Sequence, residues 1–274
     1  MKKLSLSLVV TTYNWPGALD LVLMSIRGQS MGFLEVIVAD DGSDEKTAKV
    51  IREHGKYFQP SLIHSWQEDL GFRAARSRNL AIARARGDYI VMIDGDMVLH
   101  PHFIRDHIFY AQKGCFVQGV RAKMSAAGTL DVLTRRDIHI KSLDTRLKSK
   151  RFGFRSNVLS WLFSGTRLIN KLSMIQTCNM AFFRSDCIAV NGFNEDFIGW
   201  GREDSEFGAR LLHFGITRKD LRFNAVAYHL HHEGVSRKML EQNHQLFLAT
   251  LKEKKLRCQN GIDKHMQHVR LGRE

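Results

Sequence analysis

Several features that define common protein classes are scarce in this chain of 274 residues. It has four cysteines, and no two of them form a Cys-x-x-Cys pair, so neither a zinc knuckle nor a dithiol redox site is expected. We expect the thiols to stay reduced, as in the cytosol. The presence of three prolines in the whole chain argues against a disordered linker. No stretch approaches about 18 uninterrupted apolar residues, so no membrane span is expected, and the short apolar run at residues 4–10 lacks the cleavage site of a signal peptide.

Glycine-rich phosphate loops are also missing. Neither the GxGxxG pattern nor a P-loop follows the first predicted strand, so a cradle of backbone amides is not expected to hold phosphate here. A net charge of +13 and a pI near 9.8 favour an anionic partner such as nucleic acid, anionic lipid or a phosphorylated substrate. Because no RNP-type motif or recognition-helix pattern occurs, we expect no nucleic-acid partner. Carboxylates with a divalent metal are the alternative means of holding a diphosphate.

Apolar strands alternate with amphipathic helices through the first hundred residues. Helical spacing of apolar side chains follows the first two strands, and Ser43 is predicted to cap the second helix. This βαβ alternation predicts an α/β fold with a mainly parallel sheet and helices on its faces. The predicted strands are residues 4–10, 35–39, 61–65, 89–93, 116–120 and 176–184, and the third helix is 74–86.

Two carboxylates, Asp94 and Asp96, end the most apolar of these strands. Side chains at positions i and i+2 of an extended segment point the same way, and two negative charges so placed favour a nearby cation. A divalent metal bridging to a diphosphate is the natural candidate, and a polar surface turn is the alternative. Open α/β sheets bind ligands at the C-terminal ends of their strands, which favours the functional interpretation.

Polar clusters follow two further strands, at residues 11–14 and 40–43. In a doubly wound sheet these clusters and residues 94–96 would line one crevice. Tyr13 is a candidate to stack on a base, and Asp40 or Asp41 to accept a hydrogen bond from a uracil N–H or a ribose hydroxyl. The alternative for residues 40–43 is a turn followed by a helix cap.

Taken in order, these segments carry a resemblance. They read VVTTYN at 9–14, VADDGS at 38–43, RN at 78–79, GDYI at 87–90 and DGD at 94–96. Together they resemble the signature of inverting family-two glycosyltransferases of the GT-A fold, over about the first hundred residues.

The resemblance implies a Rossmann-like GT-A sheet and a nucleotide-sugar donor, usually UDP-linked. It also implies Mn²⁺ or Mg²⁺ between Asp96 and the diphosphate. The residues that it places at the nucleotide are Thr11, Tyr13 and Asp41 at the uridine, Asp94 at the ribose, and Arg73 and Arg78 as further candidates.

A second informative segment is Gly199-Trp200-Gly201, followed by Glu203 and Asp204 at the start of a predicted helix. The glycines allow a tight backbone around one large aromatic face, and sugars stack on such faces. A carboxylate at a helix N-terminus has its ionised form stabilised, so it can act as a base toward a hydroxyl within reach. Simple helix capping is the alternative, but it does not account for the Gly-Trp-Gly sequence.

This segment resembles the C-terminal motif of family-two transferases with a galactosyltransferase-like second half, such as β-1,4-galactosyltransferases and chondroitin-type polymerases. The resemblance implies that Asp204 is the base, that Glu203 helps to hold an acceptor hydroxyl, and that Trp200 stacks on the donor or acceptor sugar. Arg202 departs from the motif, because the galactosyltransferases have a glycine there, and this leaves the donor sugar open.

Histidines are dense at residues 227–233. In the family, a histidine after the sheet completes the metal site, and two carboxylate-type ligands with one imidazole suit Mn²⁺. His229 is the first choice by this resemblance and His232 the second. A satisfied structural histidine is the alternative for any one of them.

The middle of the chain is basic and partly apolar, over residues 135–163. This combination suits a segment that docks on an anionic membrane or a phosphorylated glycolipid, and a solvated helical face followed by ordinary core is the alternative. We therefore expect a cytoplasmic protein that is peripheral on the inner face of the cell membrane.

Four parts follow from these patterns: a nucleotide-sugar-binding half (1–125), a basic, amphipathic insert (126–172), an acceptor-binding and catalytic half (173–235) and a helical tail without an assigned role (236–274). We expect a metal-dependent transferase that adds single sugars to a saccharide or glycolipid hydroxyl, in cell-surface polysaccharide or lipopolysaccharide synthesis. One alternative is a non-catalytic nucleotide-binding or membrane-docking protein on the same fold. Another is a nucleotidyltransferase, which predicts a lysine-bearing glycine-rich loop that residues 11–17 lack.

Overall fold

The computed structural model describes residues 4–59, 61–164, 168–169, 171–234 and 236–270. The strands are β1 (Leu6–Thr12), β2 (Glu35–Asp40), β3 (Leu62–Trp66), β4 (Tyr89–Asp94), β5 (Met97–Leu99), β6 (Cys115–Gln118), β7 (Arg121–Lys123), β8 (Leu168–Ile169), β9 (Asn179–Phe183), β10 (Thr217–Asp220) and β11 (Ala227–His229). The helices are α1 (Pro16–Arg27), α2 (Glu45–Gly55), α3 (Ala74–Arg84), α4 (Phe103–Tyr110), α5 (Ala126–Arg135), α6 (Asn157–Ser164), α7 (Arg184–Ala189), α8 (Glu203–His213), α9 (Leu240–Lys252) and α10 (Asp263–Arg270), with a 3₁₀ turn at Lys150–Phe152.

Across the described residues, the main sheet has eight strands in the order β3-β2-β1-β4-β9-β6-β10-β8. Its first half, β3-β2-β1-β4, is parallel throughout, as the βαβ alternation predicted. Strand β9 runs antiparallel to both β4 and β6, so the two halves of the chain meet in one sheet. A second sheet, β5-β11-β7, was not predicted.

The central strands are apolar because both faces of the main sheet are covered. Along β1, Leu8 and Val10 belong to a core with α1 residues, whereas Val9 belongs to the opposite core with α3 residues. All three side chains are fully buried. Such continuous burial is typical of parallel sheets between two helical layers and positions the strand ends rigidly.

The predicted cap of the second helix was wrong. Asp44, not Ser43, caps α2, because its carboxylate accepts hydrogen bonds from the backbone N–H groups of Lys46 and Thr47. Ser43 instead accepts a hydrogen bond from the backbone N–H of Asn14, which ties together two of the polar loops.

The strand predicted at 176–184 is shorter, because two of its amides bond to side chains instead of to the backbone of a neighbouring strand. The N–H of Gln176 donates to Gln118, and the N–H of Thr177 donates to Asp204. No helix among the described residues has the length and apolarity needed to cross a membrane.

Candidate active site

A cavity of about 730 Å³ opens where the polar loops after β1, β2 and β4 meet the start of α8. Asp96 and Asp204 both line it, although they are far apart in the chain. The predicted site residues that line this cavity are Thr11, Tyr13, Asp41, Arg78, Asp94, Asp96, Trp200, Glu203, Asp204, His229 and His232. The predicted residues that do not line it are Asp40, Arg73, Gly199 and Gly201.

Three of these residues form a group with metal-ligand geometry. One ligand atom each from Asp96, His229 and His232 lies within 4.8 Å of the other two. The Nε2 atoms of His229 and His232 lie 3.4 and 3.3 Å from Asp96 Oδ2. Strand pairing brings them together, because β11 runs antiparallel to β5 and the N–H of Leu230 donates to the carbonyl of Asp96 at 3.0 Å.

Burial and neighbouring charges shift the pKa values of two members of this group. Burial and the neighbouring charge of Asp94 raise the pKa of Asp96 to about 8, and Asp96 Oδ1 is buried with no hydrogen-bond partner among the described residues. Burial and the nearby Arg121 lower the pKa of His229 to about 3, so its imidazole is neutral and can donate a lone pair. One carboxylate with two imidazoles can hold a first-row divalent cation, Mn²⁺ among them.

A buried arginine, Arg78 on α3, lies among three carboxylates. Its Nη1 donates to Asp204 Oδ1 at 3.0 Å and to Glu203 Oε1 at 3.4 Å, and its Nη2 lies 3.9 Å from Asp94. Only 5% of Arg78 is exposed. The sequence suggested Arg78 as a nucleotide contact, but these bonds commit much of its guanidinium to the acidic cluster.

Asp204 is held in one orientation. Its Oδ2 accepts the backbone N–H of Thr177 and its Oδ1 accepts the Thr177 hydroxyl, both at 3.0 Å, in addition to the bond from Arg78. With 22% of its side chain still exposed, Asp204 presents an oriented carboxylate to the cavity.

Glu203 is more buried than its neighbour. Burial and the charge of Asp204 raise the pKa of Glu203 to about 7. Its Oε2 accepts the backbone N–H of Gly201 at 3.2 Å, so the side chain closes the turn that begins α8. Its predicted contact with an acceptor hydroxyl remains a prediction.

The loop before α8 turns through left-handed backbone conformations. The φ angles are +76° at Gly199, +113° at Gly201 and +74° at Arg202. A Cβ on Gly199 would lie 2.6 Å from Met239, so the chain passes too closely for a side chain there. Arg202 therefore has the backbone conformation that glycine adopts most easily, and it occupies the position at which the galactosyltransferase motif has glycine.

Helix α9, in the tail to which the sequence assigned no role, supports this loop. The side-chain amide of Asn243 donates to the carbonyl of Ile198 at 3.2 Å. The guanidinium of Arg202 lies 5.6 Å from the ring centre of Phe247. Thr250 donates to Glu206 in α8, which links the two helices directly.

At the other end of the cavity, Tyr13 is half exposed and its hydroxyl donates to Asp69 at 2.9 Å. Asp41 accepts the backbone N–H of Arg73 at 2.8 Å, and burial raises the pKa of this carboxyl to about 6. Arg73 thus contacts the site residue Asp41 through its backbone N–H.

Asp40 is fully buried. Its two oxygens accept hydrogen bonds from the backbone N–H of Ser43 and from His64, so both oxygens already have partners within the protein. The turn that the sequence offered as the alternative role for residues 40–43 accounts for these contacts.

Two sequence models of protein families match the chain. That of "Glycosyl transferase family 2" matches residues 7–188, which is more than half of the chain. That of the "N-terminal domain of galactosyltransferase" matches residues 160–233. The two matches coincide with the two motif-bearing segments and confirm the resemblance and the class of enzyme read from them.

Characterised proteins are similar along most of this chain. Chondroitin synthase from Escherichia coli is 26% identical over 238 residues, which cover 82% of this chain and 34% of that protein. Validoxylamine A glucosyltransferase from Streptomyces hygroscopicus subsp. jinggangensis (strain 5008) is 29% identical over 256 residues, covering 86% of this chain and 58% of that protein. The chain thus spans a third to somewhat over half of the length of these relatives.

Solved structures share the fold. S. aureus TarS 1–349 in complex with UDP-GlcNAc has a TM-score of 0.61 at 14% identity, covering 98% of this chain and 72% of that one. The mannosyltransferase PcManGT from Pyrobaculum calidifontis, in complex with GDP-Man and Mn²⁺, has a TM-score of 0.59 at 19% identity, covering 100% of this chain and 72% of that one. These likenesses confirm the GT-A fold.

Proposed function

This chain belongs to glycosyl transferase family 2, and from that premise we propose that it is a metal-dependent inverting glycosyltransferase. It transfers a sugar from a nucleotide sugar, UDP-linked, to a hydroxyl of a saccharide or glycolipid acceptor. The observation that carries the proposal is that the Asp96 group and the oriented Asp204 carboxylate face one cavity of about 730 Å³.

Each part of the site has a task in this proposal. Asp96, His229 and His232 would hold Mn²⁺ or Mg²⁺, which supplies positive charge to a leaving diphosphate. Asp204 takes the proton from the acceptor hydroxyl as its oxygen attacks the sugar. Arg78 and Thr177 hold Asp204 in place, so the base does not have to reorient during transfer.

The nucleotide is placed at the β1 end of the cavity. The exposed ring of Tyr13 stacks on the base, while Thr11 and Asp41 contact the uridine and Asp94 the ribose. Trp200 stacks on a sugar near Asp204, and Gly199 and Gly201 shape its loop. Support for a nucleotide sugar with Mn²⁺ comes from the ligands of the solved neighbours, UDP-GlcNAc in one and GDP-Man with Mn²⁺ in the other.

The proposed pathway is cell-surface polysaccharide or lipopolysaccharide synthesis, by analogy with the chondroitin synthase of E. coli and the hyaluronan synthase of Pasteurella multocida. We propose a single addition rather than polymerisation.

We restrict the proposed membrane contact to a shorter segment than residues 135–163. Four arginines of this stretch pair with carboxylates of the protein itself: Arg135, Arg136, Arg146 and Arg155. The proposed membrane contact is now helix α6, where Val158 and Trp161 are each about two thirds exposed (68% and 67%) and the exposed Lys150 lies shortly before the helix. Co-sedimentation with phosphatidylglycerol vesicles that Trp161→Ser does not weaken would reject this surface.

Donor binding followed by product analysis tests the function. We expect Mn²⁺ with UDP to raise the melting temperature of the protein more than Mn²⁺ with GDP does, and Asp96→Asn to abolish the metal-dependent part. NMR of the transferred sugar should show an inverted anomeric configuration. Donor binding with neither transfer nor donor hydrolysis would favour a non-catalytic nucleotide-binding protein, and transfer in excess EDTA would refute the metal role.

A further inference from the structure

A second cavity, of about 560 Å³, adjoins the first. Arg121, Lys123 and Gln176 line both cavities. Gln176 directly precedes Thr177, whose N–H and hydroxyl bond to Asp204. The second cavity therefore adjoins the site on two sides, beside Asp204 through Gln176 and beside the Asp96 group through Arg121.

The walls of this second cavity are strongly basic. Its cationic lining residues are Arg121, Lys123, Arg151, Arg218 and Arg222. Its one lining carboxylate, Asp220, already accepts from Arg218 Nε at 2.6 Å, and Arg218 also donates to two backbone carbonyls. Within the described part of the chain, the other four cations form no ion pair with a carboxylate, although the charge of Arg121 interacts with those of Asp94 and Asp96.

Two of these cations belong to the second cavity alone. Arg151 and Arg222 are exposed and do not line the donor cavity, so a nucleotide diphosphate held there does not account for them. The Arg151 guanidinium lies 4.6 Å from the ring centre of Phe152, which also lines the second cavity, or groove. Unpaired cations on a concave surface with apolar walls focus a positive potential inward and favour an anionic ligand that also has an apolar face.

We propose that this second cavity is an acceptor subsite for an anionic saccharide. The phosphate or carboxylate of the acceptor lies between Arg151 and Arg222, its sugar ring packs against the aromatic walls, and the hydroxyl to be modified reaches Asp204. This assignment of the acceptor class rests on the proposed function, whereas the binding of an anion by the groove can be measured without any transfer.

The test uses the full chain saturated with UDP and Mn²⁺, so that the donor cavity is filled. Three probes of similar length are titrated by calorimetry: a glycerol phosphate oligomer, a glucuronate-containing tetrasaccharide and neutral maltotetraose. The variant Arg151→Gln/Arg222→Gln removes two charges from the groove. The control Lys49→Gln/Arg52→Gln removes two charges from the exposed face of α2, which lies beside β3 at the opposite edge of the sheet.

We expect at least one anionic probe to bind about tenfold or more tightly than maltotetraose, and the groove variant to lose that preference. The control variant should keep it, and both variants should bind UDP like the wild type. The stronger of the two anionic probes identifies phosphate or carboxylate as the preferred group. Equal binding of neutral and anionic probes, or equal losses in the groove and control variants, would overturn the proposal. Failure of UDP to bind would count against the proposed function instead.

Discussion

The replacement Asp204→Asn isolates the proposed base, because it removes a charge and changes the shape of the side chain very little. General bases contribute about 10²- to 10⁴-fold to rate, so we expect kcat for transfer to fall by that factor, which is about 3–5 kcal/mol of transition-state stabilisation. Binding of UDP and Mn²⁺ should stay within about twofold of the wild type, since Asp96 and the two histidines of the metal group are unchanged.

The effect on stability is expected to be moderate for a residue in a buried cluster. The variant weakens the bond from Arg78, and a bond to a charged group is worth about 1.5–3 kcal/mol. An amide also has one accepting oxygen where Asp204 has two, so at least one of the bonds donated by Thr177 or Arg78 is lost. Removal of the negative charge that raises the pKa of Glu203 offsets part of this loss. We therefore expect the free energy of unfolding to fall by about 1–3 kcal/mol.

The assay compares initial transfer rates at saturating donor with UDP affinity by calorimetry and with urea unfolding. Asp263→Asn is the matched control, because Asp263 also lies in the first turn of a helix, lines neither cavity and is about half exposed. Transfer by Asp204→Asn within tenfold of the wild-type rate would refute the assignment. An equal loss of transfer in the Asp263 control would show that the effect is not specific to the site.

Three further predictions concern the surroundings of the site. Phe247→Ala should lower the free energy of unfolding by about 3 kcal/mol and reduce kcat more than UDP affinity, because Phe247 is 7% exposed and supports the loop before α8. Leu248→Ala, at the neighbouring position that is 41% exposed, should change neither stability nor kcat. In urea unfolding, wild-type stability should decrease relative to that of Glu203→Gln as the pH rises from about 4.5 through 7. A pKa of Glu203 raised to about 7 means that the folded state holds the Glu203 proton more tightly than the unfolded state does. A stability difference that does not change with pH would contradict the raised pKa. Apparent Mn²⁺ affinity, measured by calorimetry, should rise up to about tenfold per pH unit between pH 6 and 8 and then level off, because the metal must displace the proton of Asp96 while His229 is already neutral. An affinity that is constant over this range would contradict the raised pKa of Asp96.

Local patterns were sufficient for much of this site. Strand-forming runs that end in polar residues predicted where β1, β2 and β4 finish, and parallel pairing places those ends at one edge of the sheet. The Gly-Trp-Gly motif before two carboxylates likewise placed Asp204 at the start of a helix. These features depend on neighbours in sequence, so the sequence carries them directly.

Several charged residues were interpreted from their position in the chain, and the folded protein gives them other partners. Arg146 belongs to the basic stretch read as a membrane surface, yet it pairs with Asp131, Asp137 and Asp144. Arg155 pairs with Asp106, 49 positions away. Charge composition counts such residues but does not show which carboxylate neutralises each one.

What the sequence by itself determined about this protein is its alternation of strands and helices, its family motifs and the kinds of side chain at each strand end. Only the tertiary structure decided that β11 pairs with β5, which is the contact that brings the two histidines named by the resemblance beside Asp96. It alone decided that Arg78 lies among three carboxylates and that α9 supports the loop before α8. Each of these depends on contacts between segments far apart in the chain, and the free energy of such contacts comes from burial and charge pairing that no local pattern encodes.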